Sequence, residues 1–322
     1  MRLAPRHLLF GLALVSLTYG ETRVDVYNSN DMGEARDINE QYEMVLHADI
    51  SLAMPEHASS YYHSSQYVFT SADTSAPVNL SFYGEDDERG EPLHNCGATF
   101  QNLKNISFTD WINKWADIGG NEKDSTAMAH GGVISAGDYK TILFQDNGAV
   151  TFSHITYDSS DWGATDCTIS VFGGAIHVYN SDSGLVDFAG NESVTLQHIS
   201  SINEHDTNYC YKDFYAYGGA IYTPRLDIRH TKGAVSLSSN SIHQGVCTDV
   251  EGVGQGGAAY IAAALNISAT ASNITLDNNS ILVANRAEGG ALYLAENSSS
   301  SLSDNLLHLQ LRVNTVQAAA DA

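Results

Sequence analysis

Short runs of alternating apolar and polar residues, with no helical period after Gly20, dominate this chain. Val150-Thr-Phe152, Val186-Asp-Phe188, Val235-Ser-Leu237 and Ile274-Thr-Leu276 each place apolar side chains on one face and a polar one on the other. That is the pattern of short strands with one buried face. Met44–Ile50, Tyr67–Thr70, Val78–Phe82, Thr99–Asn102 and Ile106–Phe108 extend it toward the N-terminus. Too few residues separate the runs for crossover helices, and Gly- and Asn-rich turns join them. An all-β fold is expected.

The runs recur in register with two signatures. A double glycine appears at Gly131-Gly132, Gly173-Gly174, Gly218-Gly219, Gly256-Gly257 and Gly289-Gly290, in steps of 42, 45, 38 and 33 residues. Each pair is followed by an apolar residue three positions ahead of Asn: Phe144–Asn147, Phe188–Asn191, Leu237–Asn240, Leu276–Asn279 and Leu302–Asn305. Val150-Thr-Phe-Ser-His-Ile155 also matches Val194-Thr-Leu-Gln-His-Ile199. Short strands joined by such turns at a recurring spacing predict a right-handed parallel β-helix, a solenoid stacked on itself. Glycine serves the corners, and stacked Asn side chains form a hydrogen-bonded ladder. At roughly 20 residues per coil, each repeat of about 40 is expected to make two coils. Residues 21–41 are expected to cap the first coil, and residues 42–322 to form the β-helix.

Gly-Gly-Ala-Ile followed by Phe-x-x-Asn resembles the repeat of the chlamydial polymorphic outer-membrane proteins and other autotransporter-type surface proteins. The resemblance spans about Gly131 to Asn305, with Leu for Phe in three of the five second signatures. It implies a β-helical passenger displayed outside the cell, often adhesive. The C-terminal membrane barrel of such proteins has no counterpart after Asn305, and the chain ends in Ala322. Continuing the steps from Gly289 puts the next double glycine at about 322 to 334. The expectation is a piece of a longer passenger; the competing reading is a short protein closed by its Ala-rich tail.

Met1–Gly20 sets the compartment. Arg2 and Arg6 precede an apolar run from Leu8 to Leu17, with Thr18 and Gly20 after it. This is a secretory signal pattern with cleavage after Gly20, too short to span a bilayer. No later run is long and apolar enough for a transmembrane helix. The chain is therefore expected at the cell surface, in the outer membrane or secreted. The formal charge is −23, and losing Arg2 and Arg6 makes it −25. Such a field repels nucleic acid and anionic lipid. Cys96, Cys167, Cys210 and Cys247 are an even set in a disulfide-permissive compartment. Either Cys167–Cys210 or Cys210–Cys247 can bridge. The remaining loop cysteine and Cys96 then pair with each other or with a neighbouring chain.

Catalytic chemistry was sought in the acids, because β-helices include polysaccharide-cleaving enzymes. Asp166, Glu204, Asp206, Asp249 and Glu251 are candidates for a carboxylate pair, but acids in turns are commonly a solvated surface. Zinc spacings, a nucleophile elbow and a phosphate loop are absent from the sequence. No cofactor is expected. Calcium at Glu85–Glu88 is a minor alternative. His154 and His198, at one repeat position, read as stacked turn residues.

Binding candidates lie in the insertions before the double glycines, at Thr109–His130, Tyr157–Phe172, Ser200–Tyr217 and Ser241–Gln255. These hold Trp111, Trp115, Trp162, Tyr209, Tyr211 and Tyr215. Insertions at one phase of a solenoid emerge on one side and commonly bind; the alternative is that they bury their aromatics on the flank. The expected function is a non-catalytic surface β-helix adhering to a host or neighbouring-cell protein or glycan. A secreted carbohydrate-active β-helix enzyme, hydrolase or lyase, is the alternative.

Overall fold

The computed structural model describes residues 21–31, 41–53, 62–63, 66–84, 93–94, 97–113, 117–119, 126–130, 132–137, 140–160, 168–179, 183–204, 213–245, 251–268, 273–283, 286–303 and 309–318. Among them every regular element but a one-residue 3-10 position is a strand, and the strands form three sheets of 14, 11 and 6. Pairing is parallel throughout, apart from the antiparallel contact of Asp117–Gly119 with Thr126–His130 at the edge of the third sheet. The fold is all-β, with long parallel sheets.

Among the described residues the repeats before Asn105 supply strands to the first and second sheets only, and those from Asn105 to Glu288 supply all three in the same order. Ile176–Val178 and Leu185–Ala189 lie in the first sheet, Ser193–Asn203 in the second and Asp213–Tyr217 in the third. The next repeat follows with Ile221–Arg229, where the two first-sheet rows fuse, then Val235–Ser238 with Ser241–Gln244, then Glu251–Gln255. Because register is kept, like residues fall on like. Phe69, Phe100, Phe144 and Phe188 stack along the first sheet at ring separations of 4.9, 5.0 and 5.1 Å. Phe82, Phe108 and Phe152 stack along the second at 4.9 and 4.7 Å. The two stacks meet edge to face between the sheets, at 5.8 Å for Phe144–Phe152. Offset stacking and edge contacts are the geometries the ring quadrupole favours. A second core joins the other two sheets through Tyr157, Ile242 and Ile281 on one side and Ile169, Val171 and Phe214 on the other.

The repeat is one strand step, and not the two coils expected. Successive partners lie 26 residues apart at Asn79–Asn105, 44 at Asn147–Asn191 and 35 at Asn279–Asn314. Extra residues lengthen a repeat without adding a layer, because the third sheet takes them up. The insertions expected as loops accordingly contain strands: Thr168–Phe172, Asp213–Tyr217 and Glu251–Gln255 pair in register.

The five Phe/Leu-x-x-Asn copies are also two series, not one. Phe144 and Phe188 align with Ile228, Ile267 and Leu302 in the first sheet. Leu237 and Leu276 align instead with Phe152, Leu196 and Leu311 in the second. Each series marks a place where the chain bends with a residue at positive φ, followed by a side chain buried within the bend. At the corner between the first and second sheets the positive-φ residues are Asn102, Asp146, Gly190 and His230. Leu103, Asn147, Asn191 and Thr231 follow them and are buried. Within the second sheet the positive-φ residues include Asp110, His154, His198, Ser239 and Asn278. Trp111, Ile155, Ile199, Asn240 and Asn279 are the side chains they turn inward. The histidine reading is thus explained, since Asn, Asp and His tolerate the left-handed region best among non-glycine residues. His154 and His198 stack at 5.1 Å.

Buried Asn side chains pair the backbone groups that the bends free. Asn191 donates from Nδ2 to the Phe144 carbonyl at 2.8 Å and accepts from Asn147 N and Nδ2 at 3.2 and 3.0 Å. Asn240, Asn279 and Asn314 repeat the arrangement. The double glycines act at a third corner. Gly218 has φ +73°, and a Cβ on Gly219 would collide with the Gly257 carbonyl of the next repeat. The first glycine supplies the turn and the second the close approach. Gly173, Gly256 and Gly289 share the positive φ; Gly132, Gly174 and Gly257 share the collision; Gly131 lies outside the described residues, and Gly290 is less crowded. Glu21–Val26, placed in the expected cap segment, adds a parallel strand in register to the first sheet.

Asn191→Ala should remove one hydrogen bond from each of three buried groups, Phe144 O, Asn147 N and Asn147 Nδ2, and cost about 3 kcal/mol. Asn79→Ala, in the exposed Asp49–Asn79–Asn105 row, should cost under about 1 kcal/mol. Urea unfolding of the two variants measures the difference.

Candidate functional site

Two rows of aromatic residues flank the double-glycine corner. The residue ahead of each first glycine is Phe172, Tyr217, Gln255 or Glu288, on the face of the third sheet away from its core. Three residues beyond each second glycine stand His177, Tyr222, Tyr260 and Tyr293 in the first sheet. The corner turns the two rows toward each other. Tyr222, Tyr260 and Tyr293 stack at 5.0 and 5.2 Å, and Phe172 stacks on Tyr217 at 5.3 Å. Across the corner Phe172 meets Tyr222 at 5.1 Å with planes 76° apart, and Tyr217 meets Tyr260 at 5.4 Å and 75°.

The corner opens into a groove of about 450 Å³, lined by Ser170, Phe172, Tyr215, Tyr217, Tyr222, Gln255 and Tyr260. Tyr222 and Gln255 are each 7% exposed and form its buried floor. Polar groups at its end are mutually committed: Gln255 Nε2 donates to Glu288 Oε2 at 2.8 Å, and Arg286 Nε donates to Glu288 Oε1 at 2.8 Å. These bonds, Arg286 first and Gln255 next, hold the Glu288 carboxyl below the usual range. Tyr215 donates its hydroxyl to Glu251 Oε2 at 3.1 Å. Burial, followed by that bond, pushes its phenol up to about 12. Burial likewise raises Tyr217, Tyr222 and Tyr260.

The expected binding residues divide three ways. Trp111 lies in the strand Asn105–Asn113, 1% exposed in the main core, so it offers no surface for binding. Its position is an inward one at the second-sheet bend, filled by Ile155 and Ile199 in the following repeats. Tyr215 faces the groove. Trp115, Trp162, Tyr209, Tyr211 and all four cysteines, Cys96, Cys167, Cys210 and Cys247, lie outside the described residues. So do the calcium candidates Glu85–Glu88 and the acids Asp166, Asp206 and Asp249. Phe172, Tyr222, Tyr260 and Tyr293 were missed as site residues, although Ala-x-Tyr after the last three double glycines carried the signal.

Carboxylates elsewhere are held by partners. Asp187 and Asp227 lie in register on adjacent first-sheet strands. Asp187 is 1% exposed and takes both Nε and Nη2 of Arg229, while Asp227 accepts from Asn266 at 2.7 Å. Glu204 lies 3.5 Å from His243 on the surface. No group of three or more metal-ligating side chains occurs among the described residues.

The raised phenols make a spectroscopic prediction. Ultraviolet titration of the folded protein should show a tyrosine class that ionises later than the ordinary value of about 10, and Tyr215→Phe should diminish it. Folded phenols that stay protonated above the unfolded pKa stabilise the fold fully below pH about 10. That contribution should be lost as pH rises toward about 12, as denaturant unfolding at stepped pH would record.

No family model matches the chain, and comparison with curated proteins and with solved structures found no match.

Proposed function

We propose that the three sheets are the faces of a right-handed parallel β-helix, and that the chain is an exported, non-catalytic passenger of the polymorphic outer-membrane type. It binds a surface protein or glycan of a host or neighbouring cell through its aromatic flank. The order in which the repeats from Asn105 onward visit the three sheets supports the helix, since the chain returns to each sheet one strand further along. Parallel strands joined by crossovers take the right hand in about 98% of cases. The signal pattern at Met1–Gly20 supports export.

One observation carries the binding reading. Phe172, Tyr215, Tyr217, Tyr222 and Tyr260 converge from different strands and repeats on one open groove. A rigid concave surface of aromatic side chains with a few polar groups is the usual make-up of a binding site. The acids nearest it, Glu251 and Glu288, are already bonded to Tyr215, Gln255 and Arg286. That engagement favours binding over glycoside hydrolysis, which needs one free nucleophilic or basic carboxylate and one proton donor.

When the chain is expressed with its leader in a bacterium, N-terminal sequencing of the exported product should begin at Glu21. A product starting at Met1 and retained in the cytoplasm would overturn the export reading. Incubation with a polysaccharide panel should release no new reducing ends. Specific depolymerisation, abolished by replacing Glu251 or Glu288, would move the chain to the enzyme class.

A further inference from the structure

The groove also discriminates among ligand classes. Its lining combines Phe172 and four tyrosines with the uncharged polar side chains of Ser170 and Gln255. Among the described residues no lysine or arginine lines it, and Glu251 and Glu288 stand beside it within a chain of charge −23. Arg286, at the groove's end, is already paired with Glu288, so an anionic ligand would meet repulsion and would have to compete for that cation. An extended peptide has a second difficulty. Peptides that add to sheets use free backbone groups at an edge. Here the backbone at the corner is paired between repeats: Gly173 N donates to Tyr217 O at 2.9 Å, and Gly218 N to Gln255 O at 2.8 Å. Only side chains are offered.

What those side chains offer is ring surface, phenolic hydroxyls and an amide. Tyr222, Tyr260 and Tyr293 turn their faces to one another, Tyr222 is buried and the Tyr293 hydroxyl is bonded to Glu288, so the half-buried Tyr217 and Tyr260 are the rings that meet a ligand. Raised above their ordinary values, the phenols of Tyr217, Tyr222 and Tyr260 stay neutral at physiological pH and both donate and accept. A pyranose ring is complementary to this surface, having apolar C–H patches and a rim of hydroxyls that also donate and accept. The volume of about 450 Å³ falls in the range of small-ligand sites. The lining takes Phe172, Tyr217 and Gln255 from three successive strands of the third sheet and Tyr222 and Tyr260 from two of the first, strands spaced about 4.8 Å apart, so the groove runs along the direction of stacking.

We infer that the Phe172–Tyr217–Tyr222–Tyr260 groove binds a neutral, extended saccharide, with consecutive sugar units lying on consecutive repeats. This inference rests on the binding reading above and names its ligand class. Several weak contacts on adjacent repeats then act together, which suits attachment to a polymer.

The test uses the exported chain on an array of neutral glycans, with hexagalacturonate as the anionic counterpart and calorimetry on the best neutral oligosaccharide. Binding should favour the neutral ligand over hexagalacturonate by at least about tenfold. Tyr217→Ala and Tyr260→Ala should each weaken it about tenfold. Tyr217→Phe and Tyr260→Phe keep the ring and the packing, and should weaken it about threefold through the lost hydroxyl. Circular dichroism confirms the fold of each variant. Absence of binding to any neutral glycan, equal binding of hexagalacturonate, or affinity unchanged in all four variants would overturn the inference. Beads carrying the chain separate this outcome from failure of the broader reading. Adherence lost on glycosidase treatment of the target cells supports a saccharide. Adherence lost only on protease treatment overturns the saccharide and leaves the binding reading standing. No adherence to any cell, with no glycan bound, overturns both.

Discussion

A bend inside a parallel sheet frees backbone N–H and C=O groups in a place that water does not reach, and every other feature of this structure depends on how they are paired. The Asn columns supply one answer. Each Asn147- or Asn240-type amide donates both to a carbonyl of the preceding repeat and to the Oδ1 of the next repeat's Asn, so every member needs the next. An unpaired amide at such a site costs about as much as several exposed contacts contribute. Bends in consecutive repeats must therefore fall at the same place, and the intervening strands follow in register. The stacked Phe columns are a consequence: once register is set, one inward position repeats, and an aromatic there meets its own kind.

The same inward position is filled in two ways. Trp111, Ile155 and Ile199 are followed at the second-sheet bend by Asn240, Asn279 and Asn314. The change to asparagine coincides with the splitting of the long strand Ser193–Asn203 into pairs such as Val235–Ser238 and Ser241–Gln244. Ile199 N already accepts this arrangement by donating to Asn240 Oδ1 at 3.2 Å. Apolar packing keeps a continuous strand there, and amide pairing permits a sharper break.

Strand content and the alternation of buried and exposed positions were legible because a side-chain period of two is a local property. The double glycines were legible for the same reason, as their backbone requirements lie within two residues. Phase was not. Phe144-x-x-Asn147 and Leu237-x-x-Asn240 look alike as text yet belong to different sheets, because both bends demand an inward apolar residue, a left-handed residue and an amide. Counting residues between glycines likewise suggested two layers per repeat, since length alone does not tell an added layer from a longer excursion into the third sheet. Trp111 was read as a loop residue for its type, whereas its place after the positive-φ Asp110 turns it into the core.

By itself, then, the sequence determined an all-β chain of repeated short strands with glycine corners and buried amides, because those properties follow from side-chain alternation and backbone sterics over a few residues. Only the tertiary structure decided which repeats stand on which, and hence that Phe172, Tyr217, Tyr222 and Tyr260, as many as 88 residues apart in the chain, share one groove. Register is set by cooperative pairing across neighbouring repeats, and a groove built from register has no local signature.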